Sequence, residues 1–291
     1  MGKKSRRESR RNRPVHTADP DVALVARPFA DLAGECDWVA LREIVPAATA
    51  VSRSTAEHGS TQVTVATVLP MAWAALHRQD GELMLGLQVP GGSGDPSRDL
   101  AAALLVALGS DPGNPVTGVG LPGPGPRLQD VLDPLGGFDV RVHEGFDFWI
   151  DADATRTPEV EASMERANEA VVPTERLVSV EAAYWCRVGA RTHLRWVLPH
   201  EEEALLDAIA RLHVRGGSSL GEGSRYIGAF WANGLVVPVW DLPPDAVADD
   251  VEEPAADFGR RLGEALTEAS PLTVEERRAR AGLASRQLTL R

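Results

Sequence analysis

Among the 30 basic side chains of this 291-residue sequence, only Lys3 and Lys4 are lysine; all the others are arginine. The body therefore has no Gly-Lys-Ser/Thr segment and no P-loop of the usual kind. Cysteine is equally scarce. Cys36 and Cys186 supply neither a disulfide framework nor a four-ligand zinc set, so no disulfide, metal or cofactor is expected. Two tyrosines stand against seven tryptophans. Apolar runs fall far short of the ~20 residues a membrane helix needs. Residues 14–30 contain no apolar stretch of the signal-peptide kind, which points to a reducing cytoplasm. The arginine bias, with abundant Ala, Gly and Pro, is the composition of a GC-rich genome.

What is present is a divided charge. The formal total is −12, yet residues 1–13 hold seven bases against Glu8 alone, a net +6. The remaining 278 residues carry 23 bases and 41 acids, a net −18. So acidic a body repels phosphate backbones, which leaves only the arm to hold RNA, a ribosome or an acidic protein. The chain as a whole is 43% hydrophobic and 25% charged, a globular composition.

Residues 1–26 lack periodicity and read as a disordered basic arm. Asp37 reads as the N-cap of a short helix ending at Ile44, before Pro46. Four dipeptides then mark hairpins between apolar runs: Asp80-Gly81, Glu144-Gly145, Gly189-Ala190 and Asn233-Gly234. Four stripes have helical spacing. They run through Leu100 and Leu104, Val160 and Met164, Leu205 and Ile209, and Phe258 and Leu262. Pro158 and Pro254 are expected to open the helices they precede. This order predicts an α+β fold of two ββαββα units, an internal pseudo-repeat over residues 27–175 and 176–291. A Gly/Pro-rich stretch, Ser110–Pro126, lengthens the first unit. Thr273 and Glu276 form a capping box ahead of a final arginine-rich helix.

Six stretches carry a resemblance: Asp37–Pro46, Ala66–Trp73, Ala183–Cys186, His193–His200, Ser219–Gly223 and Pro238–Pro243. In this order they resemble an actinobacterial family built on a domain of unknown function, over residues 27–291. Its members often begin with a cysteine-rich zinc motif of the SEC-C type. No cysteine precedes Cys36, so that motif is absent here. The resemblance implies no catalytic residues.

The Gly189-Ala190 hairpin offers the sharpest chemistry. A two-residue turn sets Cys186 opposite His193 and divides the side chains between two faces. Trp185, Leu194, Trp196 and Leu198 form the apolar one; Tyr184, Cys186, Arg191, His193 and Arg195 share the other. An imidazole beside a thiol can raise its nucleophilicity, and Arg191 and Arg195 can orient an anion. The plain alternative is a half-buried sheet face with an inert cysteine. His77, with Trp73 nearby, holds the corresponding place in the first unit and extends the candidate substrate-binding set. Gly91–Gly94 precedes a helix as a phosphate cradle would, but Asp95 stands where the anion would sit, and Asp95 as N-cap with Pro96 in the first turn accounts for the segment. His200 and Glu201–Glu203 lack metal-ligand spacing and complement a helix dipole. Residues 226–240 are apolar on both faces, Tyr226 with Phe230 and Ile227 with Trp231, and predict a doubly covered hairpin. The expectation from the sequence is a non-catalytic binding or adaptor protein. A hydrolase or transferase using Cys186 and His193 is the alternative.

Overall fold

A computed structural model describes residues 24–120, 123–151 and 157–284, so the basic arm before Leu24 lies outside the described residues. Helix α1 (Glu35–Glu43) leads into the antiparallel strands β1 (Ala48–Arg53) and β2 (Gln62–Ala66). β3 (Ala75–His77) and β4 (Leu83–Gly86) form the Asp80-Gly81 hairpin, and β4 also runs parallel to β2. Helix α2 (Pro96–Leu108), β5 (Pro115–Val116), α3 (Leu128–Val131) and β6 (Asp139–Val142) follow. These strands make one sheet in the order β5-β3-β4-β2-β1-β6.

After α4 (Pro158–Asn168) come β7 (Thr174–Arg176), β8 (Ala183–Val188) and β9 (Arg191–Trp196). Helix α5 (Glu202–Val214) precedes β10 (Arg225–Ala232) and β11 (Leu235–Leu242). The second sheet has the order β10-β11-β9-β8-β7 and is antiparallel throughout. Helices α6 (Ala248–Leu266) and α7 (Val274–Ala284) complete an α+β architecture. No helix among the described residues is long and apolar enough to cross a membrane.

The second sheet is buried on both sides, which explains its doubly apolar sequence. On one side Tyr184, Phe230, Val237 and Val239 join Trp38, Leu41, Val65, Leu85 and Leu104 in a single core. On the other, Trp185, Leu194, Trp196 and Trp240 pack against Leu205, Ile209, Phe258 and Leu262 from α5 and α6. Leu283 of α7 joins this second core, and Arg280 approaches Asp207 of α5 at 2.7 Å. The Asn233-Gly234 turn has φ of 45° and 80°, the left-handed pair a two-residue hairpin needs. Gly234 is also hemmed in, since a Cβ there would stand 2.3 Å from the Ala26 carbonyl oxygen.

Four local expectations need correction. Helix α1 starts after Gly34, whose φ of 72° breaks the chain direction. Asp37 thus falls inside the first turn and turns its carboxylate elsewhere. Glu144-Gly145 is no hairpin: β6 pairs backward with β1, and the chain turns through a short 3-10 segment, Asp147–Trp149. A Cβ on Gly145 would stand 2.7 Å from the Asn168 side chain, whose Oδ1 accepts from the Phe146 N–H at 2.9 Å. Pro254 lies within α6 rather than at its start, whereas Pro158 does open α4. Finally, a bulge between Tyr226 and Gly228 exchanges two faces. Tyr226 joins the Trp240 side and Ile227 the Phe230 side. With one hairpin missing and the parallel β2/β4 pair unmatched in the second sheet, the ββαββα repeat is not reproduced element for element.

Candidate functional site

The turn at Gly189-Ala190 gives the register the sequence predicts, Cys186↔His193 and Trp185↔Leu194. Pairing on either side continues this row across the whole sheet: Thr174, Cys186, His193, Asp241 and Arg225 lie side by side on five strands. Asp241 is the member that sequence reading missed. Its position depends on β11 meeting β9, a non-local pairing that no hairpin spacing specifies. The Asp241 Oδ1 atom lies 3.0 Å from His193 Nδ1, although the ring N–H is not aimed along that line. Arg225 holds the other carboxylate oxygen at 2.9 Å.

Cys186 and His193 are thus cross-strand neighbours, but no hydrogen bond joins them. The cysteine is 2% exposed. Burial pushes its thiol above the ordinary range, against the opposing charge of Arg195. Burial also lowers His193, helped by Arg195 and Arg191 and resisted by Asp241. The two shifts move apart, a less basic imidazole beside a less acidic thiol, and with no hydrogen bond between them both oppose formation of a thiolate. Cys36, on α1, is free as well and is pushed up to about 12, first by burial and then by Glu35 and Asp37. Iodoacetamide is expected to leave both cysteines of the native protein unmodified at neutral pH and to modify both in urea. Mass spectrometry reads this directly; rapid modification of folded Cys186 would refute the sealed-thiol picture.

The other candidates scatter. Tyr184 is buried and donates to Asp37 Oδ1 at 2.6 Å. Arg176 donates to the same carboxylate, 3.0 Å from Oδ2. Burial, then the Asp37 charge, raises the Tyr184 phenol well above its usual value. Arg191 is exposed and Arg195 half-buried. His77 Nδ1 lies 2.7 Å from the Ser110 carbonyl on the first sheet, and Trp73 packs beside Leu69 and Met84. Asp95 caps α2 by accepting from the Ser97 N–H and is held by Arg127 Nε at 2.8 Å. Among the described residues no group of three or more His, Cys, Asp or Glu is arranged to hold a metal ion.

A sizeable opening lies beside this row. A cleft of about 780 Å³ separates β6, the outer strand of the first sheet, from β7, the outer strand of the second. Val140, Val142 and Val171 give it apolar walls, and Glu144, Glu175 and Arg176 add charge. His143 also lines it and holds Thr49 Oγ1 at 2.8 Å through Nε2. Burial, then the charge of Arg141, lowers the His143 pKa. Of the cross-sheet row only Thr174 reaches the cleft. Residues 139–142, Asp-Val-Arg-Val, do alternate as a half-exposed strand should, but their free edge is visible only once both sheets are assembled.

The α+β scaffold thus holds a buried Cys186, a partly exposed His193–Asp241 pair beside it and an open cleft between the sheets. By sequence the chain belongs to the family of unknown function DUF5926, which matches residues 28–291. No curated protein and no solved structure matches it significantly.

Proposed function

We propose that this is a cytoplasmic, non-catalytic binding or adaptor protein, with the cleft between β6 and β7 as its ligand site and residues 3–13 as a second, electrostatic contact. One contrast carries this reading: Cys186 is closed off and protonated, while the cleft alongside is open and of the size small-molecule and peptide sites have. The arm, net +6, would reach for RNA, a ribosome or an acidic protein with affinity that falls steeply as salt rises. Asp241, 3.0 Å from His193 Nδ1, is the observation behind a second reading, a hydrolase or transferase, in which the ring would turn its N–H onto that carboxylate.

Affinity capture with the full chain, with residues 14–291 and with Cys186→Ala separates these readings. Partners held through the arm are expected to disappear from the 14–291 sample and, at high salt, from the full chain. Cys186→Ala is expected to retain every partner. Identical partner sets for the full chain and 14–291 at both salt levels would remove the arm from the proposal. A substrate turned over by the full chain and untouched by Cys186→Ala would replace the binding reading with the enzymatic one.

A further inference from the structure

The cleft is bordered by two strand edges that belong to different sheets and do not pair with each other. On β6 the His143 N–H donates to the Ala47 carbonyl, so the odd-numbered residues turn toward β1. The amide groups of Val140 and Val142 therefore face away from their own sheet. On β7 the Leu177 N–H donates to Ala183, and Pro173 accepts from the Arg187 N–H. By the same alternation Thr174 and Arg176 present their amides outward. All four residues line the cleft, and no hydrogen bond connects β6 to β7 among the described residues. Free strand edges ordinarily face bulk water and are blunted by charge or proline. Here they face a cavity with valine walls, where unsatisfied N–H and C=O groups favour a strand-shaped guest.

The charge around the cleft narrows the guest further. Glu144 and Glu175 are both exposed, and neither forms an ion pair among the described residues. Arg176 contributes little positive field, since its guanidinium is already matched by Asp37 at 3.0 Å. Arg141 acts on His143 through its charge but does not line the cleft, so the lining itself is an acidic-rimmed, apolar-walled slot between two hydrogen-bonding edges.

We propose that the cleft captures an extended basic peptide segment, whose backbone pairs with the free edge of β6 and whose cations meet Glu144 and Glu175. This inference rests on the binding reading above and gives that site its partner class. Apolar residues of the guest would alternate with basic ones, as the two-residue period of a strand requires.

The test uses the full chain and fluorescence anisotropy with a labelled acetyl-Val-Arg-Val-Arg-Val-amide. An all-glutamate analogue and an analogue with alternate N-methylated amides serve as comparators. The basic probe is expected to bind saturably, with the acidic and N-methylated probes at least about tenfold weaker. Glu144→Gln with Glu175→Gln is expected to weaken the basic probe about fivefold, as two rim ion pairs should, without altering the circular dichroism spectrum. Failure of the basic probe to bind, or equal binding of the N-methylated probe, would overturn the proposal. So would an unchanged affinity in the double variant. Val178→Arg separates this failure from failure of the binding reading. Val178 is 87% exposed at the cleft, so the change should not disturb folding. If Val178→Arg removes cellular partners while no peptide probe binds, the cleft remains a binding site and the peptide assignment falls.

Discussion

Asp37→Ala is expected to destabilise the protein by about 3 kcal/mol, the scale for removing one partner of a buried ion pair. The carboxylate is buried and serves two elements of the second sheet at once. Arg176 on β7 contacts it through Nε at 3.2 Å and Nη2 at 3.0 Å. Tyr184 on β8 donates its hydroxyl at 2.6 Å. Deleting the acid strands a half-buried guanidinium and a fully buried phenol, so the loss is larger than the net worth of the contacts themselves. Asp37→Asn keeps acceptor oxygen for Tyr184 but not charge for Arg176, and should fall between. Urea titration measures all three proteins; a loss below about 1 kcal/mol for alanine would show that the network is not holding α1 to the sheet. The same network sets an alkaline limit. The folded phenol stays protonated beyond the pH, about 10, at which it ionises in the unfolded chain. Its contribution is complete below that pH and is lost as pH rises toward the higher folded value. Tyr184→Phe should remove this alkaline slope.

Trp240→Ala is expected to be still more costly, about 3–5 kcal/mol. The indole is fully buried on the helix-covered side of the second sheet. Phe258 of α6 meets it edge-on at 5.0 Å and Tyr226 at 5.6 Å, with Trp196 at 6.4 Å. Its Nε1–H donates to the Ser218 carbonyl at 2.8 Å, so truncation opens a cavity and orphans an acceptor together. For a chain of this size the midpoint temperature should drop by roughly 10 °C. Trp240→Phe retains most of the volume and should cost less than half as much. A melting curve for Trp240→Ala that overlays the wild type would mean that α6 is not anchored here.

Local chemistry made much of this fold legible. The turn dipeptide at Gly189-Ala190 fixes the Cys186–His193 register, and Asp95 with Pro96 starts α2. Thr273 and Glu276 cap α7 reciprocally. What stayed hidden depends on distant parts of the chain. β1 and β2 carry short, small-residue patterns and acquire their meaning from β4 and β6. Pro238 has no N–H to give to a ladder, yet β11 is an interior strand. The β9 ladder tolerates it by lapsing between Arg195↔Val239 and the isolated Leu198↔Val236 bridge. Half of the candidate site was therefore readable: Cys186 and His193 follow from one hairpin, whereas Asp241 and the cleft require the assembled sheets.

The pairing of β1 with β6 has a kinetic side. Thr49 and Arg141 are partners across roughly 90 intervening residues, whereas β8 and β9 meet across a two-residue turn. Closing the longer loop loses more chain entropy before any contact rewards it, so β6 belongs to the late steps of folding. A strand that docks late, is only four residues long and has one neighbour also detaches easily. The wall of the cleft is thereby its most yielding part, and a guest strand that supplies β6 with a second neighbour would stabilise the element that the chain alone holds least firmly.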